Sequence, residues 1–215
     1  MQGTPRIQDE VTTTDELIPS GETASYRSNP YKISEYTLIR KDPSYVGNAK
    51  RAQEFEKARI TGNAAKAGEC YAVLKAAGVA TPVEELMRTT GIGSVLYAKR
   101  PGDGSAREYA ASCQKVLGGL ANICIAFATK RYRSNCVNWG ILPLTCPDEP
   151  IDLMPGDYVY LAGIREKVAS GEEDVEATVI RGNGKTLSLK LRLDNVAGTE
   201  KDILLAGSLI NYYQQ

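Results

Sequence analysis

Gly93-Ser94-Val95-Leu96-Tyr97-Ala98, followed by Lys99-Arg100-Pro101-Gly102-Asp103-Gly104 and then Ser105-Ala106-Arg107-Glu108-Tyr109-Ala110-Ala111, is the stretch whose reading decides the fold. The first six residues are nearly free of polar side chains and read as a buried strand. The next six are rich in turn formers and read as a loop. Residues 105–117 read as a helix stopped by Gly118-Gly119, and residues 123–128 as a second apolar strand. A further short helix is expected over 130–139, ended by Gly140. Strand, helix and strand in that order form a crossover unit, which places the chain in the α/β class.

Outward from this unit the pattern changes on both sides. Residues 1–30 are rich in Thr, Ser, Gly and Pro and read as extended segments and loops. From Tyr31 to Gly78 the composition is helical, with a charged segment at 48–60 and an alanine-rich one at 64–77. Thr81-Pro82 opens another short helix, with Thr81 as cap and Pro82 in the first helical position. Residues from about 31 to 90 are therefore expected to be a helical insertion. Beyond Pro155-Gly156 the pattern is β, with strands at 158–161, 176–181 and 186–193. Gly182-Asn183-Gly184 joins the last two, and a final helix spans 201–213. One domain over 1–215 is expected, with a β-rich end from about 155.

Composition excludes several functions. Lysine plus arginine (26) equals aspartate plus glutamate (26), so the net charge is zero. Binding to nucleic acid or to an anionic membrane, which needs a basic patch, is not expected. No apolar run reaches the length of a membrane span, and a cytosolic setting is expected. The five cysteines are odd in number and form no Cys-x-x-Cys pair, so neither a disulfide framework nor a metal site is indicated. Histidine is absent. Proton transfer must then use serine, a carboxylate, lysine or tyrosine.

Two uses compete for Ser105. In Ser-x-x-Glu with Glu108 it forms a capping box, a common and chemically silent arrangement. It also stands where a strand passes into a helix, the junction at which open α/β sheets bind ligands. Arg107 opposes the helix dipole in the first turn, which points to an anionic ligand such as a carboxylate. Thr14 and Asp15 serve equally well as ordinary turn or cap residues, and Arg27 as a surface arginine beside Pro30. The run Lys130-Arg131-Tyr132-Arg133 reads as the solvated face of a helix.

Four segments in order resemble the small domain of the aconitase family: Thr13-Thr14-Asp15-Glu16 with Arg27-Ser28-Asn29; Gly104 to Ala111, similar to the family's Gly-Ser-Ser-Arg-Glu-His-Ala; Arg133-Ser134-Asn135 through Gly140-Ile141-Leu142-Pro143-Leu144; and Ala206-Gly207-Ser208-Leu209-Ile210-Asn211. The resemblance implies a three-layer β/β/α swivelling domain that closes over a larger domain or subunit. That partner, not this chain, would hold a [4Fe–4S] cluster. The reaction implied is dehydration and rehydration of a hydroxy di- or tricarboxylic acid. Ser105 would be the base, with Asp15 in the hydrogen-bonded site near the leaving hydroxyl. Arg27 and Arg107 would bind substrate carboxylates, with Thr14 and Ala106 beside them. Ala106 and Tyr109 depart from the family's Ser and His, which points to a less common substrate. The alternative carried by the same resemblance is a non-catalytic regulatory or RNA-binding module.

Overall fold

The computed structural model describes residues 6–7, 9–146 and 153–214. The described strands are β1 (Arg6–Ile7), β2 (Thr12–Thr13), β3 (Ser94–Ala98), β4 (Pro101–Asp103), β5 (Gly119–Cys124), β6 (Leu142–Thr145), β7 (Tyr158–Tyr160), β8 (Asp174–Ile180) and β9 (Thr186–Leu193). The helices are α1 (Thr14–Leu17), α2 (Pro30–Ser34), α3 (Tyr45–Ile60), α4 (Ala64–Ala76) and α5 (Val83–Thr89) in the first half of the chain. They are followed by α6 (Arg107–Val116), α7 (Lys130–Asn138), α8 (Ile164–Ser170), α9 (Thr199–Ala206) and α10 (Leu209–Tyr213).

Among the described residues one sheet has the order β1-β3-β5-β6-β9-β8-β7. Its first four strands are parallel and its last three join antiparallel. Alternation along β3 shows how the layers stack. Val95 and Tyr97 pack with Val159, Val175, Val179 and Leu191 of the antiparallel half, so the sheet curls over itself. Leu96 and Ala98 point the other way, onto Ala110, Cys113 and Cys136 of α6 and α7. The period of two thus yields three layers, β on β on α.

The helices from α3 to α5 build a smaller core, which Ile180 of β8 completes. Ala52, Phe55, Tyr71, Leu74 and Leu86 form it, while Tyr45 and Ala49 of the same α3 belong to the core beneath the main sheet. Polar contacts fix the junction: Gln53 donates to the Val116 carbonyl at the end of α6 (2.6 Å). Arg59 pairs with Glu56 (2.7 Å) and donates to the Met87 carbonyl (3.0 Å).

Several expected boundaries move. The strand placed at 123–128 lies at Gly119–Cys124 instead. The glycine pair that ends α6 also starts β5, and polar Asn122 hides a strand position. Asn122 is fully buried because its amide is satisfied, accepting from Gln114 and donating to the Tyr132 hydroxyl (3.1 Å). Thr81 is not a cap: α5 begins at Val83 behind Pro82, with no side-chain cap bond. The single final helix is two, because Ser208 starts a new one by accepting from the Asn211 N–H (3.2 Å). Strands β1, β2 and β6 and helix α8 had no clear sequence signal. They are short, and β6 carries Pro143.

Candidate functional site

The loop between β3 and α6 is held from two sides. Gly102, at φ +99°, lies so close under the Tyr132 ring that a Cβ there would sit 2.2 Å from a ring carbon. Thr129 caps α7 by accepting from the Tyr132 N–H (3.2 Å), and its hydroxyl donates to the Gly102 carbonyl (2.9 Å). Gly104, at φ +124°, faces the other side, where a Cβ would fall 2.4 Å from the Thr14 hydroxyl. Only glycine fits such positions without strain.

Thr14 brings the two sequence motifs together. Strand β2 runs parallel to β4, with Thr13 opposite Asp103, and delivers the start of α1 to the loop. Thr13 and Glu16 form a capping box, Glu16 N–H to the Thr13 hydroxyl (3.2 Å) and Thr13 N–H to the Glu16 carboxylate (2.8 Å). Thr14 is buried, and its hydroxyl accepts from the Ala106 N–H at 3.2 Å. Asp15 is exposed and held by Arg40 (2.6 Å), which also pairs with Glu22. Arg27 follows a 3-10 turn at Ala24–Tyr26 and lies 5.8 Å over the Tyr109 ring.

The expected capping box at Ser105 does not form. The cap position of α6 is Ala106, with no side-chain cap bond. Glu108 instead accepts from the Trp139 indole N–H (2.7 Å). Ser105 is exposed, and its hydroxyl is not spent on the helix end. It lines a shallow depression of 330 Å³ with Arg107, Glu108, Lys130, Arg131, Ser134 and Asn135. The Nε–H of Arg107 is buried without an acceptor. A buried donor left open in this way costs about 1–3 kcal/mol until an acceptor arrives.

The basic run therefore splits. Lys130 and Arg131 are exposed and border Ser105, whereas Arg133 is buried, bonded to the Asp194 carbonyl (2.7 Å) and to both oxygens of Glu200 (2.7 and 2.8 Å). Lys130 and Arg131 sit against the dipole in the first turn of α7, the same signal that marks Arg107, and the sequence reading did not apply it to them. Arg40 has no comparable signal. Of the expected site residues, Ser105 and Arg107 share the depression, Thr14 bonds the Ala106 N–H between them, and Arg27 lies over Tyr109, outside the lining. Asp15 lies next to Thr14 but engages Arg40.

Residues 35–149 match the aconitase C-terminal domain family. The chain belongs to that family. It is 31% identical over 132 residues to the 3-isopropylmalate dehydratase small subunit of Metallosphaera sedula, covering 61% of this chain and 71% of that protein. With the methanogen homoaconitase small subunit of Methanocaldococcus jannaschii the identity is 32% over 124 residues, 57% of this chain and 63% of that one. The mitochondrial homocitrate dehydratase of Saccharomyces cerevisiae is 27% identical over 210 residues, 93% of this chain but only 24% of the relative. The crystal structure of a 3-isopropylmalate dehydratase from Methanocaldococcus jannaschii superposes with a TM-score of 0.53 at 21% identity, covering 99% of this chain and 92% of that one. The expected swivel fold is thus shown. The aconitase-family domain described here is of the small-subunit type, and its named relatives are dehydratases and hydratases.

The cysteines of this domain do not suit a cluster. All five are free and buried. Burial pushes the Cys113 and Cys136 thiols up to about 12. Among the described residues no group of three or more His, Cys, Asp or Glu side chains converges.

Proposed function

We propose that this chain is the swivelling domain, or small subunit, of a hydro-lyase acting on a hydroxy di- or tricarboxylic acid. The observation that carries the reading is the pairing, in one depression, of an uncapped serine hydroxyl with an arginine whose Nε–H lacks an acceptor. Ser105 removes the proton from the carbon next to a substrate carboxylate. A serine is a weak base, and its alkoxide needs stabilisation. Arg107, Lys130, Arg131 and the N-terminus of α6 surround the position where that charge develops. Arg107 and Arg27 hold carboxylates, with Tyr109 keeping Arg27 in place through its ring. Thr14 and Ala106 fix the loop, and Asp15 with Arg40 borders the leaving-hydroxyl side.

The cluster belongs, in this reading, to a larger domain or subunit in a cytoplasmic setting, and the whole of 1–215 is one domain with its helical insertion at about 31–90. No helix among the described residues is long and apolar enough to cross a membrane. The zero net charge and the neutralisation of Arg133 by Glu200 count against an RNA face.

The test is reconstitution with the cluster-bearing partner, anaerobically, against a panel of hydroxy di- and tricarboxylates. Ser105→Ala is expected to abolish turnover while changing stability by less than about 0.5 kcal/mol, as for a surface side chain without partners. Turnover by Ser105→Ala at the wild-type rate would remove serine as the base.

A further inference from the structure

A second cavity, of 560 Å³, lies at the far end of α6, between α4 and α5 on one side and β7, α8 and α9 on the other. Eight helical steps separate its Lys115 from Arg107, roughly 12 Å at 1.5 Å per residue. The volume falls in the range of small-molecule sites, about 300–1,000 Å³. Its walls are chiefly apolar, with Leu74, Leu86, Leu142 and Leu204 among them. Such walls reject a compact polycarboxylate, so this cavity is not an extension of the depression at Ser105.

The charged residues on its surface are unlike one another. Glu85, Arg165 and Glu166 are exposed and hydrated. Lys115 is half-buried, and its ammonium reaches only the Gly140 carbonyl, at 3.5 Å, the outer limit of a hydrogen bond. Burial holds its pKa below the ordinary lysine value, and no neighbouring charge opposes that shift. The buried cation Arg133, by contrast, has a bidentate carboxylate partner. Lys115 has none among the described residues. A desolvated cation beside an apolar hollow is completed by an anionic head on a hydrocarbon body.

We infer that this cavity is a second ligand site, which takes a small carboxylic acid with an apolar chain, the carboxylate on Lys115 and the chain against Leu74, Leu86 and Leu204. Octanoate and 1-octanol serve as probes, since they differ in the head group and share the chain length. Both are titrated into the full 215-residue chain by calorimetry, with the methyl resonances of Leu86 and Leu204 reporting where they bind. Octanoate is expected to bind at least about tenfold more tightly than 1-octanol, the usual gain of a charge-assisted bond. Lys115→Met, which keeps the volume, is expected to erase that difference, and Lys115→Arg to retain it. Equal binding of the two probes to wild-type protein, a preference for octanoate that survives Lys115→Met, or no binding of either would overturn the assignment. None of these readouts uses turnover, so the result is independent of the role proposed for Ser105.

Discussion

Replacing Thr14 by Val tests whether the two motifs are clamped together as the geometry shows. The substitution keeps the branched shape of a buried side chain and removes one hydroxyl, which accepts from the Ala106 N–H at 3.2 Å. That N–H belongs to the residue that opens α6. An unsatisfied buried donor costs about 1–3 kcal/mol, and because Ala106 is only half-buried the lower end applies. The new methyl group also presses on Gly104, where the space is already too small for a Cβ. A loss of about 1–2 kcal/mol follows. With a urea dependence of about 2 kcal/mol per molar, the midpoint falls by roughly 0.5–1 M. Trp139 is the only tryptophan in the chain and is bonded to Glu108 in the first turn of α6, so its fluorescence follows the unfolding of this region directly. Hydrogen exchange should show the Ala106 amide losing protection selectively, and Thr14→Ser should restore it. In the reconstituted enzyme, misplacement of Ser105 is expected to lower kcat about tenfold. An unchanged midpoint together with an unchanged Ala106 exchange rate would refute the clamp.

Other perturbations read different parts of the framework. Arg133→Met leaves the Glu200 carboxylate and the Asp194 carbonyl without their partner. Breaking a buried pair costs about 3–5 kcal/mol, and the 30% exposure of Glu200 reduces this to about 2–3 kcal/mol; a loss below about 1 kcal/mol in denaturant titration would contradict the structural role. For Glu16, burial by itself pushes the carboxyl up, but hydrogen bonds from Lys41 and Thr13 outweigh it and hold the pKa below its ordinary 4.5. Its contribution is therefore complete above the unfolded value and fades as the pH drops through the folded one. Glu16→Gln should flatten the stability loss between about pH 5 and 3, and parallel acid titrations of the two proteins would disprove the assignment.

The fold was legible where apolar runs and glycine stops coincide. Strand β3, helices α6 and α7 and the β8–β9 hairpin all fall close to their expected places, and β9 matches residue for residue. The reading failed where a local signal had a partner elsewhere. Ser-x-x-Glu is a sound capping pattern, yet Glu108 is drawn off by Trp139, 31 residues away. Asn122 looks wrong for a strand until Gln114 and Tyr132 are beside it. Arg131 and Arg133 are chemically identical two residues apart, and only the packing against α9 separates the exposed cation from the buried one. Ser105 and Arg107 were singled out by spacing and by the unfavourable position of a cation, and the structure sets both on one depression. Arg40 was not singled out, because its meeting with Asp15 depends on how residues 15 to 40 turn.

The hydrogen bond between Thr14 and Ala106 joins residues 92 positions apart. During synthesis at about 5–20 residues per second, the N-terminal half of the clamp waits roughly 5–20 s for the other half to be made. In that interval the helices from α3 to α5 emerge and can pack on one another through Ala52, Phe55, Tyr71, Leu74 and Leu86, while Ile180 of β8, which completes their core, is still to be made. The order of translation therefore favours pairing the helices first and closing the loop before Ser105 afterwards. Mistakes in the intervening helices would then be felt at the ribosome, before Ser105 has found its place.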